Sequence, residues 1–177
     1  MNESRDPLRY DGVTILLHWV IAGLVILLWI VGQVIDEFPR GDPRIAVRSL
    51  HILFGLALTL LFPFRVYWRV RKGARLPTAG HGWLDRLAKG GHHLLYLLLG
   101  VLLALGCANA WVRGDTIFGL LTIPQFAPGD KELKSLVEGL HGSFANIIII
   151  LAAVHALAAL GHHYILHDNV LRRMLRN

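Results

Sequence analysis

The sequence has almost no cysteine and few charged residues. Cys107 is the single cysteine among 177 residues and lies inside an apolar run. A disulfide framework and a cysteine-based metal site are therefore both excluded. Charged residues make up 17% of the chain and hydrophobic residues 54%, and the mean hydropathy is +0.51. A soluble domain of this size rarely reaches that balance, so the composition indicates a membrane protein.

Signals of several other protein classes are also missing. The first apolar run is too long for a signal peptide and no small-residue cleavage site closes it, so we expect it to remain as a membrane anchor. No internal repeat, low-complexity tract or soluble domain is visible. The formal net charge is +6 and the pI is near 10.0, but no basic-aromatic surface accompanies them, which argues against nucleic-acid binding.

Four apolar runs are each long enough to cross a membrane core, which requires about 20 helical residues. They cover approximately residues 13–35, 46–68, 92–112 and 141–166. Segments rich in glycine, proline and charge separate them. The sequence therefore predicts an all-α membrane protein with one domain over residues 1–177, folded as a four-transmembrane-helix bundle.

The distribution of basic residues predicts the orientation of the bundle. Twelve of the 18 basic residues lie at the two termini and over residues 65–91, whereas six lie towards the other side of the bundle. Both termini should therefore face the cytoplasm, here called the inner side. The six outer basic residues are candidates for attracting an anion, but seven acidic residues share their loops. The six are Arg40, Arg44, Arg48, Arg113, Lys131 and Lys134.

Four histidines within these runs are expected to pair by depth. His18 lies near the inner end of the first helix, and His51 lies near the outer start of the second. His141 lies at the outer start of the fourth helix, and His155 follows about 21 Å further along at ~1.5 Å per residue. Fourteen residues come within about 40° of whole turns, so both rings project from nearly one face. We therefore expect His155 at the level of His18, and His141 at the level of His51.

Two facing imidazoles can provide both axial ligands of a b-type haem. Zinc would need a tight cluster of four ligands, and a proton relay would need carboxylates that the helix cores lack. A single histidine in a membrane helix often only forms a hydrogen bond to a neighbouring helix. Four histidines that pair by depth instead favour two haems in the bundle core. The expected iron ligands are His18, His51, His141 and His155. A non-redox protein whose histidines bind a metal or protons is the alternative.

Small and basic residues on the same helices are compatible with haem binding. The small residues would leave room for a flat macrocycle, or simply allow close helix packing. They are Gly23, Gly32, Gly55, Gly100 and Gly106, with Ala152, Ala153, Ala156, Ala158 and Ala159 in the fourth helix. Arg44, Arg48 and Arg65, which we place at helix ends, are candidates to bind haem propionates or to mark the membrane interface.

Five segments resemble the bacterial cytochrome b561 family, whose relatives include the cytochrome b subunits of formate dehydrogenases and nickel-iron hydrogenases. The segments are LHW at His18, SLHILFG at His51, GHHLLYLLL, RGDTIFGLLTIP and LHG…VHALAALGHHYILHDNVLRRM. The resemblance covers essentially the whole chain. It implies two haem b cofactors in the bacterial inner membrane, with His18 and His155 binding the inner haem and His51 and His141 binding the outer haem.

The resemblance also implies an activity. A short diheme member of the family oxidises superoxide and reduces ubiquinone, so we expect superoxide oxidation at the periplasmic side and ubiquinone as a bound substrate. The quinone site of that member uses a histidine just past the last haem ligand, which His163 matches, and a lysine from the loop between helices 2 and 3. No lysine aligns here, so Arg75, Lys72 or His81 would replace it.

Other roles are left open by the sequence. The alternative function is that of an electron-conduit cytochrome b subunit, which passes electrons between a partner dehydrogenase or hydrogenase and quinone. His92 and His93 are interfacial residues, haem-propionate contacts or competing ligands of the inner haem. The sequence assigns no role to His162 or His167.

Overall fold

Four long helices form the protein. The computed structural model describes residues 9–74, 76 and 82–175. The helices are α1 (Gly12–Val34), α2 (Asp42–Arg71), α3 (Trp83–Arg113) and α4 (Lys131–Tyr164). Short 3₁₀ turns cover Ile35–Glu37 and Arg172–Met174. Between α3 and α4, β1 (Thr116–Ile117) and β2 (Leu121–Thr122) pair as an antiparallel hairpin.

Each of the four helices is long and apolar enough to cross a membrane, which confirms the predicted all-α, four-transmembrane-helix architecture. Large apolar side chains point away from the bundle: Leu60, Leu97, Ile150 and Leu157 are each more than 60% exposed. A water-soluble bundle would bury such residues, whereas helices surrounded by lipid present them outward.

Three helices begin four or more residues earlier than the apolar runs predicted, and α1 begins one residue earlier. α2 starts four residues earlier, α3 nine and α4 ten. The early start of α4 has a local cause, because the side chain of Asp130 accepts the backbone N–H of Leu133 at 2.9 Å and caps the helix. As a consequence, His51 and His141 lie well inside their helices, not at the helix starts where the sequence placed them.

An apolar layer crosses the middle of the bundle. α1 and α3 each pack against both α2 and α4, so α2 and α4 stand at opposite corners. All four helices contribute to the central cluster of Ile21, Leu28, Leu58, Leu99 and Ile148. Ile148 lies seven residues from His141 and seven from His155, which is about 10 Å of helix on either side. The layer therefore separates an outer from an inner histidine level.

Asp11 holds the inner end of the bundle together. Its carboxylate accepts the backbone N–H and the hydroxyl of Thr14, the indole N–H of Trp68 and the backbone N–H of Ala74, at 2.7 to 3.0 Å. Burial raises the pKa of Asp11, but these hydrogen bonds outweigh burial and hold the pKa well below its ordinary value. One carboxylate thus ties α1 to α2 and to the segment that follows α2.

Ser49 fastens the outer hairpin to α2. Its side chain is fully buried, and its hydroxyl donates to the Ile45 carbonyl at 2.7 Å and accepts the backbone N–H of Phe118 at 2.8 Å. Phe118 has a φ of 50°, a conformation that disfavours a bulky residue and persists only when its surroundings hold it. The hairpin is therefore fixed over the outer end of α2.

Candidate haem sites

The outer histidine pair joins opposite corners of the bundle. The rings of His51 on α2 and His141 on α4 lie 6.3 Å apart between centres, with their planes at 83°. Among the described residues, the Nδ1 atoms of both rings are buried without a hydrogen-bond partner. Buried polar atoms in this condition are typical of a site that a bound group completes.

The inner histidine pair has the same geometry. The rings of His18 on α1 and His155 on α4 lie 6.4 Å apart with planes at 80°. Arg65 of α2 approaches His18 Nδ1 to 3.4 Å and donates from Nε to the Tyr96 hydroxyl at 3.0 Å. The His92 ring of α3 lies 5.0 Å from that of His155. The inner level thus contains three imidazoles and one guanidinium.

The spacing of both ring pairs fits an iron between them. A metal–imidazole bond is about 2.0–2.1 Å, and about 1 Å from nitrogen to ring centre on each side gives a separation of roughly 6 Å. The observed 6.3 and 6.4 Å agree with that separation. The 5.0 Å between His92 and His155 is too short for an iron. His92 and His155 therefore do not share an iron, whereas the separation of His18 and His155 fits a ligand pair.

Two glycines allow the outer rings to reach their positions. A Cβ atom added at Gly106 would stand 3.1 Å from His141 Cε1, and one added at Gly32 would stand 3.5 Å from His51 Cε1. Gly100 has a different role, because a Cβ there would meet the Phe62 ring at 3.5 Å, which is helix packing. Of the predicted small residues, Gly32 and Gly106 thus contact the candidate ligands directly.

The inner and outer levels are spaced identically on all four helices. Each helix supplies one residue to each level, fourteen residues apart. The inner and outer residues are His18 and Gly32 on α1, Arg65 and His51 on α2, His92 and Gly106 on α3, and His155 and His141 on α4. The prediction of Arg65 at a helix end was wrong, because α2 continues to Arg71. The same interval counted from His51 would have found Arg65.

Three outer arginines are held in a network of ion pairs, with N···O distances of 2.7 to 3.9 Å. The pairs are Arg44–Asp36, Arg48–Asp36, Arg48–Asp115, Arg113–Asp115 and Arg113–Glu138. Three guanidinium groups thus face three carboxylates. The network carries no net charge, so it is not the positive patch for an anion that these arginines indicated in the sequence.

The two adjacent histidines at the inner end of α4 differ in their contacts. His163, the quinone candidate, packs edge-on against the Tyr164 ring at 4.7 Å. His162 contacts the Asp168 carboxylate at 2.5 Å. Burial raises the pKa of Asp168, but hydrogen bonds from His162 and from the backbone N–H of Val170 lower it by more, so the pKa lies below its ordinary value. His162 is therefore engaged in a local hydrogen bond, whereas the His163 ring contacts only its neighbour among the interactions described.

The remaining candidates lie at the inner surface. His93 and His167 are exposed, and Nδ1 of each lies within hydrogen-bond distance of a nearby backbone carbonyl, at 2.7 and 3.0 Å. Lys72 directly follows α2 as its C-cap. Arg75 and His81, which were predicted to contact quinone, lie outside the described residues.

Four membrane-spanning helices with facing histidine pairs are the arrangement expected of a membrane cytochrome of the b type. The chain belongs to the prokaryotic cytochrome b561 family, whose family model matches residues 9–177. It is therefore an electron-transfer protein of a bacterial membrane, and the family implies haem b as its cofactor.

Curated relatives match over nearly their whole length. Cytochrome b562 of Cereibacter sphaeroides is 34% identical over 178 residues, covering 98% of both chains. The probable superoxide oxidase CybB of Yersinia pestis is 30% identical over 171 residues, covering 94% of this chain and 96% of its own. Cytochrome b561 homolog 1 of Escherichia coli K12 is 29% identical over 170 residues, covering 94% and 97%.

Proposed function

We propose that the protein transfers electrons across the bacterial inner membrane through two bis-histidine haems, oxidising superoxide at the periplasmic side and reducing ubiquinone. The observation that carries the proposal is that a histidine ring of α4 faces a second histidine ring at each level, with ring centres 6.3 Å apart at the outer level and 6.4 Å apart at the inner level. The two haems would supply one-electron redox chemistry, which lets a one-electron donor reduce a two-electron acceptor. Two superoxide anions would yield two dioxygen molecules, and their two electrons with two protons would convert ubiquinone to ubiquinol.

The side chains hold the two sites apart and orient them. His141 and His155 share α4, so the distance between levels is fixed by about 21 Å of rigid helix. The apolar layer around Ile148 lies between the two levels. Arg65 places a positive charge beside His18, and a nearby positive charge stabilises an added electron. Arg65 thus favours an electron held at the inner level.

His163 supports a quinone site at the inner end. It lies eight residues beyond His155 on the same helix, which is about 12 Å towards the inner side. We infer that His163, together with Arg75 from the loop between α2 and α3, holds the quinone head group. The relative that is named a probable superoxide oxidase supports the choice of superoxide as donor.

The activity can be tested on the purified protein without a partner. Chemically generated superoxide should reduce the haems rapidly, and added ubiquinone should reoxidise them. Superoxide dismutase should abolish the reduction. Because the outer arginine network is balanced, the rate should change little with salt, which screens charges beyond about 10 Å at 0.1 M. Reduction that persists in the presence of dismutase would show that the donor is another molecule.

The quinone site has a separate test. His163→Ala should slow haem reoxidation by ubiquinone while leaving reduction by superoxide intact, because it removes only a contact of the exit step. His167→Ala is the matched control, since His167 is an exposed histidine that contacts its local backbone. Equal slowing in both variants would contradict a specific role for His163.

A second candidate function is that of an electron conduit for a partner redox protein. The outer hairpin favours it, because Leu120 at its tip is 91% exposed and Leu121 is 65% exposed. Apolar residues held outward on a fixed hairpin suit a protein or membrane contact better than they suit a small anion. Reduction that resists dismutase and requires a dehydrogenase or hydrogenase would establish this function instead.

A further inference from the structure

We propose that the inner end of the bundle binds the phosphate of an anionic phospholipid, in a site formed by Arg9, Arg69 and Arg173. These arginines belong to the segment before α1, the end of α2 and the C-terminal 3₁₀ turn. The proposal goes beyond the proposed function and does not depend on it. It assigns a ligand to basic residues that the two histidine levels do not use.

The C-terminal turn brings the two ends of the chain together. The backbone N–H of Tyr10 donates to the Arg173 carbonyl at 3.1 Å. The indole N–H of Trp19 donates to the Met174 carbonyl at 2.8 Å. These two bonds fasten the turn against the beginning of α1. Because Arg9 directly precedes Tyr10, Arg9 and Arg173 lie next to each other in the folded chain.

Tyr10 also holds the arginine of α2. The Arg69 guanidinium stands over the Tyr10 ring, 4.7 Å from its centre, and its Nη2 approaches the Tyr10 hydroxyl to 3.4 Å. Its Nη1 donates to the Ala74 carbonyl at 2.6 Å. These partners are neutral, so they orient the guanidinium without cancelling its charge. Three arginines thus adjoin Tyr10, one in sequence, one through the backbone and one through its side chain.

The carboxylates beside this cluster already have other partners. Asp11 accepts the four hydrogen bonds described above. Asp168 is hydrogen-bonded to His162 and to the backbone N–H of Val170. By contrast, Nε of Arg9 is buried without a hydrogen-bond partner among the described residues. A buried donor of a charged group in this condition indicates a site that a bound acceptor completes.

The surroundings indicate a phospholipid as the source of that acceptor. Phosphate suits several guanidinium groups, since it accepts charge-assisted and bidentate hydrogen bonds. Next to the cluster, Leu16, Trp19 and Val20 form one apolar face of α1 and are 59%, 47% and 39% exposed. Tryptophan is typical of the headgroup level of a membrane. Guanidinium groups beside an outward apolar face fit a headgroup and its acyl chains, whereas a free phosphate ion would use only the guanidinium groups.

The test measures lipid binding to the full-length purified protein in neutral detergent. Phosphatidylglycerol is titrated, and bound lipid and the thermal unfolding temperature are recorded. Arg9→Gln removes the proposed donor. Arg71→Gln is the matched control, because Arg71 is an exposed arginine in the last turn of α2. At low salt both variants should bind about fivefold more weakly, which is the general effect of one basic residue near anionic lipid.

High salt separates the direct contact from this general attraction. At about 1 M salt the screening length is about 3 Å, so only direct contacts persist. We then expect Arg71→Gln to bind like the wild type and Arg9→Gln to bind about tenfold more weakly or worse, because a hydrogen bond of a charged group is lost. Phosphatidylcholine should bind weakly to all three proteins, because its choline cation offsets the phosphate charge.

Three results would overturn the proposal. The first is equal binding by wild type and Arg9→Gln at high salt. The second is an equal loss in Arg71→Gln at high salt, which would show a general basic surface. The third is stabilisation by inorganic phosphate that matches the effect of phosphatidylglycerol, which would show a site for a free anion. If Arg9→Gln does not fold, Arg173→Gln decides in its place, since the same loss of binding is expected.

Discussion

Replacing Gly106 by alanine should weaken the outer haem site selectively. The added Cβ would stand 3.1 Å from Cε1 and 3.6 Å from Nδ1 of His141. Carbon atoms rest at about 3.5–4.0 Å from each other, so the ring must move by several tenths of an ångström. Overpacking of this kind costs about 1–3 kcal/mol. If the cost falls on the outer site, its haem affinity decreases about 5- to 150-fold.

Two other glycines turn this prediction into a graded series. Gly32→Ala would place its Cβ 3.5 Å from His51, an ordinary contact, and should have little effect. Gly23→Ala would meet nothing within 4 Å and is the control. Alanine stabilises a helix by about 1 kcal/mol relative to glycine, so haem loss in Gly106→Ala would not reflect a weaker α3.

The assay is haem content per polypeptide together with the reduced-minus-oxidised spectrum of each haem. The expected order of outer-haem loss is Gly106→Ala, then Gly32→Ala, then Gly23→Ala, with the inner haem retained throughout. Wild-type affinity in Gly106→Ala would refute the reasoning, because a ring that tolerates the added Cβ is not held against α3. Equal loss in Gly23→Ala would refute it as well.

Three further predictions concern the frame around the sites. Reporter fusions should place residues 36–45 and 113–138 outside and the C-terminus inside, because the basic residues divide twelve to six; an externally accessible C-terminus would reverse the assigned sides. Asp11→Asn should lower stability at pH 7. Folding lowers the pKa of Asp11, so the carboxylate stabilises the fold at pH values above its unfolded-state pKa of about 4. This stabilisation is lost as the pH falls towards the folded-state pKa, so the stabilities of the wild type and the variant should converge in acid. Ser49→Ala should cost about 1 kcal/mol and expose the outer hairpin to protease, since it leaves the backbone N–H of Phe118 without its acceptor; unchanged proteolysis would contradict this role.

The helices and the two histidine levels could be predicted from the sequence for clear physical reasons. An apolar run of about 20 residues has few alternatives to a spanning helix. The fourteen-residue interval between His141 and His155 predicts one helical face at two depths, and the structure brings each ring opposite the expected partner. That these rings bind haem iron stays a prediction.

The features that the sequence did not predict depend on contacts between distant segments. The first ten residues of α4 are too polar to be recognised as part of an apolar run. The start of this helix is fixed instead by the cap at Asp130. Arg65 was placed at a helix end because a charge is costly inside a membrane. In the structure it has partners inside the bundle, at His18 and Tyr96. The pairing of the outer arginines likewise depends on how the loops fold together.

The most direct test of the account is haem loss after single histidine substitutions. His18→Ala or His155→Ala should remove only the inner haem, and His51→Ala or His141→Ala should remove only the outer one, because the ring centres of each pair stand at the distance of a shared iron. Difference spectra and haem quantification of the purified variants measure both losses. Retention of both haems in His155→Ala, together with loss of the inner haem in His92→Ala, would contradict the assignment of His155 as the inner ligand.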